Sequence, residues 1–438
     1  MLPPDHPLRL ALADEVHARP PEPLQTPSRA SYLAVLIEPA DRERERAHLA
    51  ALCERHGLAP PAPEATHFRA ELGTIRFKWE RHGEFSGYTM LRPGLGTQPF
   101  AEDETAAAGL PAGWLAGLPG LTVVAAHAVL MPAAATPPEP AELSALFDGQ
   151  LVVGGEVGGG AGLAYTDFRV HPDGASRFVV CNRSLTERQA GRTLQRLFEI
   201  EAYRMMALLA LPIARRLAPR IAELEAALAG LTDHIAAEGG QDEALLHELT
   251  RLAAEIERAL STSQFRFGAC RAYHELVQVR LRELRETRLP GLQPIEEFMA
   301  RRLAPAAATC ANASQRLHDL SDRVAQASAL LSTRVDIASE RQNQALLASM
   351  DRRARLQLRL QQTVEGLSVA AIVYYVAGLI GYLAKGAKAA GLALQPDLLV
   401  GLAIPAVAVA VMVALRRARR RLHQPDEPAG PGPRAGRP

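Results

Sequence analysis

Four cysteines in 438 residues, Cys53, Cys181, Cys270 and Cys310, are too few and too scattered for a disulfide framework, and no CxxC spacing suggests a zinc ribbon. Charge of one sign is equally scarce. Lys and Arg total 49 against 48 acidic residues, so there is no general basic field of the kind that gathers nucleic acid. The first 24 residues, MLPPDHPLRLALADEVHARPPEPL, have no uninterrupted apolar core and no early basic cluster, and so do not read as a secretory signal; the bulk of the chain is expected in the cytoplasm. Catalytic motifs are missing too. The glycine-rich run Val152–Gly162, VVGGEVGGGAG, lacks the GK[ST] ending of a P-loop and the GxGxxG placement before a helix, and fits a flexible hairpin between two strands better. Neither His247-Glu248 nor His274-Glu275 completes an HExxH pair, because Arg251 and Gln278 stand where the second histidine would be. With no GxSxG elbow or spaced Cys-His pattern, no catalytic residue, metal ligand or cofactor site is assigned, and an enzyme is not expected.

What the sequence does contain is a pair of long apolar runs near its end. Gly366–Ala384, GLSVAAIVYYVAGLIGYLA, holds no charge over a length that nearly spans a hydrocarbon core of about 30 Å. Leu398–Leu415, LLVGLAIPAVAVAVMVAL, is similar, and its internal Pro405 is tolerable in a lipid-embedded helix. The pair predicts a transmembrane hairpin over 366–421, with helices near 366–384 and 398–415. The alternative is a buried hairpin inside a large soluble core. Between the runs lies a short turn with Lys385 and Lys388, whereas Arg352, Arg353, Arg355 and Arg359 precede them and Arg416, Arg417, Arg419, Arg420 and Arg421 follow. The positive-inside rule then places both termini in the cytoplasm, with a multi-pass location in the inner (cytoplasmic) membrane. The charge run Asp351–Arg355 reads as an anchor at the lipid surface, and residues 422–438, rich in Pro and Gly, as a disordered tail.

Before the hairpin the chain falls into two blocks. Residues 1–183 form an expected α+β domain, with strands at 32–38, 74–80, 85–91, 122–131, 150–157, 163–170 and 177–181 and helices at 41–57 and 139–147, in a mostly antiparallel or mixed sheet. From residue 184 to 365 strand patterns vanish and Ala, Leu, Arg and Glu dominate. Breaks at Pro212, Gly239-Gly240 and Pro290–Pro294 predict long helices at 186–211, 213–237, 241–288 and 295–365, the last running straight into the first apolar span. Leu317, Leu320, Val324, Ala327 and Leu331 keep the 3-4 spacing of a coiled-coil seam in a helical bundle or stalk, and the register then meets Arg334, Ala338, Arg341 and Ala345.

Two sets of residues invite a functional reading. Asp14, Glu15, His17 and Arg19 crowd acid, imidazole and guanidinium into a few positions, which suits either a ligand contact or the docking of a chain edge. Gln357, Gln361 and Ser368 share an approximate helix face, and with Gly378, Gly381 and Tyr382 would line a pore if this helix assembled into a homo-oligomer.

The run His6–Leu24, HPLRLALADEVHARPPEPL, together with the strand-rich first half and the C-terminal hairpin, resembles an uncharacterised bacterial family of membrane-anchored proteins, DUF3422, over the whole chain. That resemblance implies a membrane location and supplies no activity. The order of a cytoplasmic α/β domain, long helices, a stalk entering the membrane, a short loop and a second span with a basic tail resembles the CorA-type magnesium transporters. Ala377-Gly378-Leu379-Ile380-Gly381 resembles the AGxxG segment before that family's Gly-Met-Asn filter, and Pro396-Asp397-Leu398 its loop exit. Tyr382 and Leu383 follow Gly381 where Met and Asn would stand, so magnesium selectivity is not implied. The expected function is that of a membrane-anchored protein in the lipid bilayer, either an oligomeric channel for a cation or a tethered scaffold or sensor whose cytoplasmic domain binds a ligand or protein.

Overall fold

The computed structural model describes residues 3–10, 12–13, 20–134, 138, 140–237, 242–389 and 395–422. The chain divides into two units, Met1–Ser332 and Thr333–Pro438.

In the first unit one mixed sheet is assembled from β1 (Ser28–Leu36), β2 (His67–Leu72), β3 (Ile75–Arg81), β4 (Phe85–Pro93), β5 (Leu121–Pro132), β6 (Val153–Val157), β7 (Gly162–Thr166), β8 (Ser176–Asn182) and β9 (Thr287–Arg288). Their order is β2-β3-β4-β1-β5-β8-β7-β6-β9, and β5 with β8 is the parallel pair. All seven anticipated strands are present. The one anticipated at 163–170 stops at Thr166, shortly before Phe168 turns to φ +52°. β2 and β9 were not anticipated: HFRAEL carries no β-branched residue, and β9 is only two residues long. The glycine-rich run makes the expected hairpin, with Gly158, Gly159 and Gly160 all at positive φ between β6 and β7. Gly154 is needed for another reason. A Cβ there would stand 2.2 Å from the Ala164 carbonyl oxygen of the paired strand.

Helix α1 (Arg42–Arg55) follows β1 and ends just before Gly57, at φ +66°, while α2 is the short Pro140–Leu146. The helical block gives α3 (Glu187–Leu208), α4 (Leu211–Ala236), α5 (Asp242–Leu284) and α6 (Ile295–Ala389). A capping box between Thr186 and Gln189 starts α3. Pro212 does not sit in a linker but in the first turn of α4, where its missing N–H costs nothing. Glu286 caps α6 by accepting from the backbone N–H groups of Ile295 (2.8 Å) and Glu296 (3.0 Å). Gly239 and Gly240 lie outside the described residues.

Alternation along the strands decides which face each residue serves. Ala30, Tyr32 and Ala34 of β1, Val124, Ala126 and Ala128 of β5 and Phe178 and Val180 of β8 face the helices, in one core cluster with Leu197, Ile221, Leu252, Val277 and Leu303. Leu317, Leu320, Val324, Ala327 and Leu331, anticipated as a coiled-coil seam, are buried in this same cluster. The opposite face carries two smaller cores. Trp79, Tyr88, Phe77 and Trp114 pack beneath α1, and Phe147, Tyr165, Val179 and Leu163 pack around α2.

The second unit holds the rest of α6 and α7 (Pro396–Leu422). Each helix contains a window long and apolar enough to cross a membrane, with mean hydropathy 1.9 and 2.8, of which 11% and 0% is buried. These spans are therefore not core helices. Tyr374, Tyr375, Leu379, Tyr382, Leu402 and Val409 are all more than 60% exposed, a display of apolar surface that water would not tolerate. The first helix continues to Ala389, beyond the anticipated end near 384. Of the anticipated tail, 422–438, Leu422 ends α7 and residues 423–438 lie outside the described residues.

Candidate functional site

A cavity of about 300 Å³ opens between the helix-facing side of the sheet and α3. Its floor follows from the sequence of β3, IRFKWER. Phe77 and Trp79 point into the core beneath α1, so Lys78 and Glu80 must point the other way, toward the helices. Both are nearly buried, at 5% and 9% exposure, and they form an ion pair at 2.9 Å. Across the cavity α3 presents Gln195, Glu199 and Tyr203, and α5 presents Arg280. Glu199 accepts from Gln195 Nε2 at 2.7 Å and pairs with Arg280, which also reaches Glu283 at 3.0 Å. Burial works against the Arg280 charge, but Glu199 and Glu283 lift its pKa above the ordinary value. Tyr32, stacked on Phe198 at 5.1 Å, completes the floor, and burial holds its phenol un-ionised well above the usual range.

The segment just after the acid-and-imidazole run forms the cavity's edge. Arg69 and Arg76 donate to the Pro20 and Pro23 carbonyls at 3.0 and 2.8 Å, Glu22 pairs with Arg69 at 2.8 Å, and the Leu24 amide donates to Glu187 at 2.9 Å. This strap crosses α3 at Gly191, where a Cβ would fall 1.7 Å from the Glu22 carbonyl oxygen. Glycine is required there by contact rather than by φ. One buried opposite-charge pair, one half-buried pair, two phenols and an amide thus surround one small cavity.

On the other face, polar residues separate the two smaller cores. Arg29 donates to the Gly94 carbonyl at 2.9 Å; Ser31 bonds His127 Nδ1 at 2.9 Å and accepts from the Ala107 amide at 3.0 Å. Ser31 is 1% exposed, and this pair locks the sheet to the loop above it. Next to it His171 lies 3.0 Å from both Asp148 and Asp167, and Arg177 bonds Asp148 at 3.1 Å. The His171 hydrogen bond, with Arg177, holds the Asp148 carboxyl below its ordinary value. Burial lowers the His127 pKa, so the folded state binds fewer protons than the unfolded chain just below the ordinary value of about 6.5. Unfolding free energy should fall as pH drops through that window, with a slope of at most about 1.4 kcal/mol per pH unit. Denaturation midpoints for His127→Gln should lack this part of the slope.

The sequence-chosen residues are distributed otherwise. Asp14, Glu15, His17 and Arg19 lie outside the described residues. In the second unit, Gly378, Gly381 and Tyr382 line one groove of about 800 Å³ with Lys385, Asp397 and Ile404, where Gly381 stands close to Val400. Gln357, Gln361 and Ser368 do not join it; all three are exposed, and the Ser368 hydroxyl donates to the Val364 carbonyl at 2.9 Å. The cavity residues Lys78, Glu80, Glu199 and Arg280 were missed. The usable signal was in β3, where a strand buried on one face alternated Trp and Phe with charges that had to face the helical block.

A family model described as "Protein of unknown function (DUF3422)" matches residues 4–422. No curated protein and no solved structure matches the chain.

Proposed function

We propose, for a chain that belongs to the DUF3422 family, that it is a membrane-tethered sensor whose first unit binds a small zwitterionic metabolite in the cavity between β3 and α3. The observation that carries this reading is the pairing of Lys78 with Glu80 and of Arg280 with Glu199 around one cavity of about 300 Å³. A ligand with its own ammonium and carboxylate can exchange into both pairs without leaving a buried charge alone, whereas a singly charged one cannot. The apolar helices near 366–384 and 398–415 cross the inner membrane as a hairpin, with both termini cytoplasmic. The arginines at 352–359 and 416–417 support that orientation. A reporter fused at Ala389 should be external and one at the C-terminus internal; an external C-terminus overturns the topology.

The ligand reading is tested on the full chain in detergent by thermal shift against panels of amino acids and betaines, monocarboxylates, amines and neutral sugars. At a concentration of about 100 Kd a true ligand adds about 2.7 kcal/mol. Zwitterions alone should raise the transition, and neither Lys78→Met nor Gly191→Val, which pushes the strap off α3, should respond. A stronger response to another panel, or none to any, rejects the reading.

A second reading, an oligomeric channel, is supported by the exposed Leu346, Leu347, Met350, Leu356 and Leu360 on α6 before the first span, which suit packing against copies of the same helix. A native mass of one or two chains in detergent removes it.

A further inference from the structure

The four cysteines are far apart in sequence, yet two of them meet. Cys270 on α5 and Cys310 on α6 are buried, at 3% and 2% exposure, and both are free thiols. They line a cavity of about 220 Å³ together with Phe267, Arg271, His274 and a wall of alanines from α6. His274 stands one turn beyond Cys270, and its Nε2 is buried with no hydrogen-bond partner among the described residues. The two thiols are not equivalent. The Cys310 S–H donates to the Cys270 sulfur and holds the Cys270 pKa below its ordinary value against the opposing pull of burial, with help from the Arg266 guanidinium. As the donor, and buried as well, Cys310 is held far above its ordinary value. Cys181 is a useful contrast, since burial without such a partner pushes it up to about 11. Burial raises Cys53 likewise.

We propose that Cys270 and Cys310 form a peroxide-reactive dithiol site, in which a small hydroperoxide entering the cavity converts the pair to a disulfide joining α5 to α6. In the first step the Cys270 sulfur attacks the terminal peroxide oxygen and the O–O bond breaks. Cys270 becomes a sulfenic acid, and the thiol proton leaves on the alcohol formed from the hydroperoxide. In the second step the Cys310 sulfur attacks the Cys270 sulfur. The S–O bond breaks, the S–S bond forms, and the hydroxyl leaves as water with the Cys310 proton. Two thiols lose two electrons and one peroxide bond gains them. The His274 Nε2 supplies a polar contact for the peroxide in a mostly apolar cavity. Buried thiols that lack a partner are unreactive, so Cys53 and Cys181 should stay reduced. A disulfide of this kind, in a chain whose bulk is expected on the reducing side of a membrane, is a transient sensor bond rather than a structural one.

The test uses the full chain in detergent, treated with tert-butyl hydroperoxide, blocked with N-ethylmaleimide and digested with trypsin without reductant. The expected product is FGACR (Phe267–Arg271) joined to LAPAAATCANASQR (Leu303–Arg316), lighter than the two reduced peptides by two hydrogens. The two maleimide-labelled peptides should disappear together while those of Cys53 and Cys181 persist. In Cys310→Ser the reaction should halt at the sulfenic acid, so dimedone should label Cys270; in Cys270→Ser it should label nothing. The proposal is overturned if both peptides remain maleimide-labelled at a peroxide dose that oxidises methionines in the same digest, or if Cys53 or Cys181 reacts first. Wild-type mapping alone reads these outcomes, so a variant that fails to fold does not blunt the test.

Discussion

Glu45→Ala is expected to lower the unfolding free energy of the core beneath α1 by about 3–5 kcal/mol, the usual cost of breaking a buried charge pair from one side. Glu45 is 0% exposed, yet its carboxylate is fully used. Trp79 Nε1 donates to it at 2.9 Å, the Tyr88 hydroxyl at 2.6 Å and Arg42 at 3.2 Å. Removing the acceptor strands an indole N–H and a phenol O–H in an apolar core, and each unmade bond costs about 1–3 kcal/mol. Arg42 keeps its bond to Ser86 at 2.9 Å and some access to water, which limits its share. Glu45→Gln can keep its amide oxygen on Trp79 and Tyr88 but loses the charge and the oxygen that accepts from Arg42, so it should cost about half as much. The chain has two tryptophans, Trp79 and Trp114, and both lie in this core. Intrinsic fluorescence during urea unfolding therefore reports this region directly. A Glu45→Ala midpoint equal to that of the parent chain would show that the acceptor is not needed.

Much of this fold could be read from local pattern, and the misses share a cause. Strands with β-branched or aromatic alternation, such as 28–36 and 121–132, and helices bounded by Pro or Gly were legible because the signal sits within a few residues. β2 escaped because HFRAEL is an edge strand defined by its pairing with β3 and not by its composition. Long-range juxtaposition was not legible at all. Nothing in the spacing of Cys270 and Cys310 says that α5 and α6 bring them into one cavity, or that Arg280 arrives opposite Lys78. Even so, one clue to the cavity was local. A strand whose aromatics are all on one face has committed its charges to the other, and here that other face is covered by helices. The coiled-coil spacing at Leu317–Leu331 was a sound reading of a buried stripe, but spacing does not name the partner, and the stripe is buried within the first unit.

Deleting the chain from Gly366 onward should leave a protein that high salt alone removes from the membrane. Eight Leu, Ile and Val residues in Gly366–Ala384 favour insertion by about 2–5 kcal/mol, and ten in Leu398–Leu415 by about 3–6 kcal/mol, with no charge in either run to oppose them. The rival account, a buried hairpin of a soluble core, predicts that these residues be covered by protein, but 11% and 0% of the two windows are. Arginines at 352, 353, 355 and 359 complicate a simple fractionation, since each gains about 1 kcal/mol beside anionic lipid and could hold the truncated chain at the surface. Salt separates the two contributions, because screening weakens surface attraction and leaves burial of apolar helices intact. The full chain should therefore stay in the membrane through both high salt and alkaline carbonate, and the truncated chain should elute in high salt alone. Release of the full chain by carbonate would mean that the two helices lie on the bilayer or pack on protein, and the tether would fall with the hairpin.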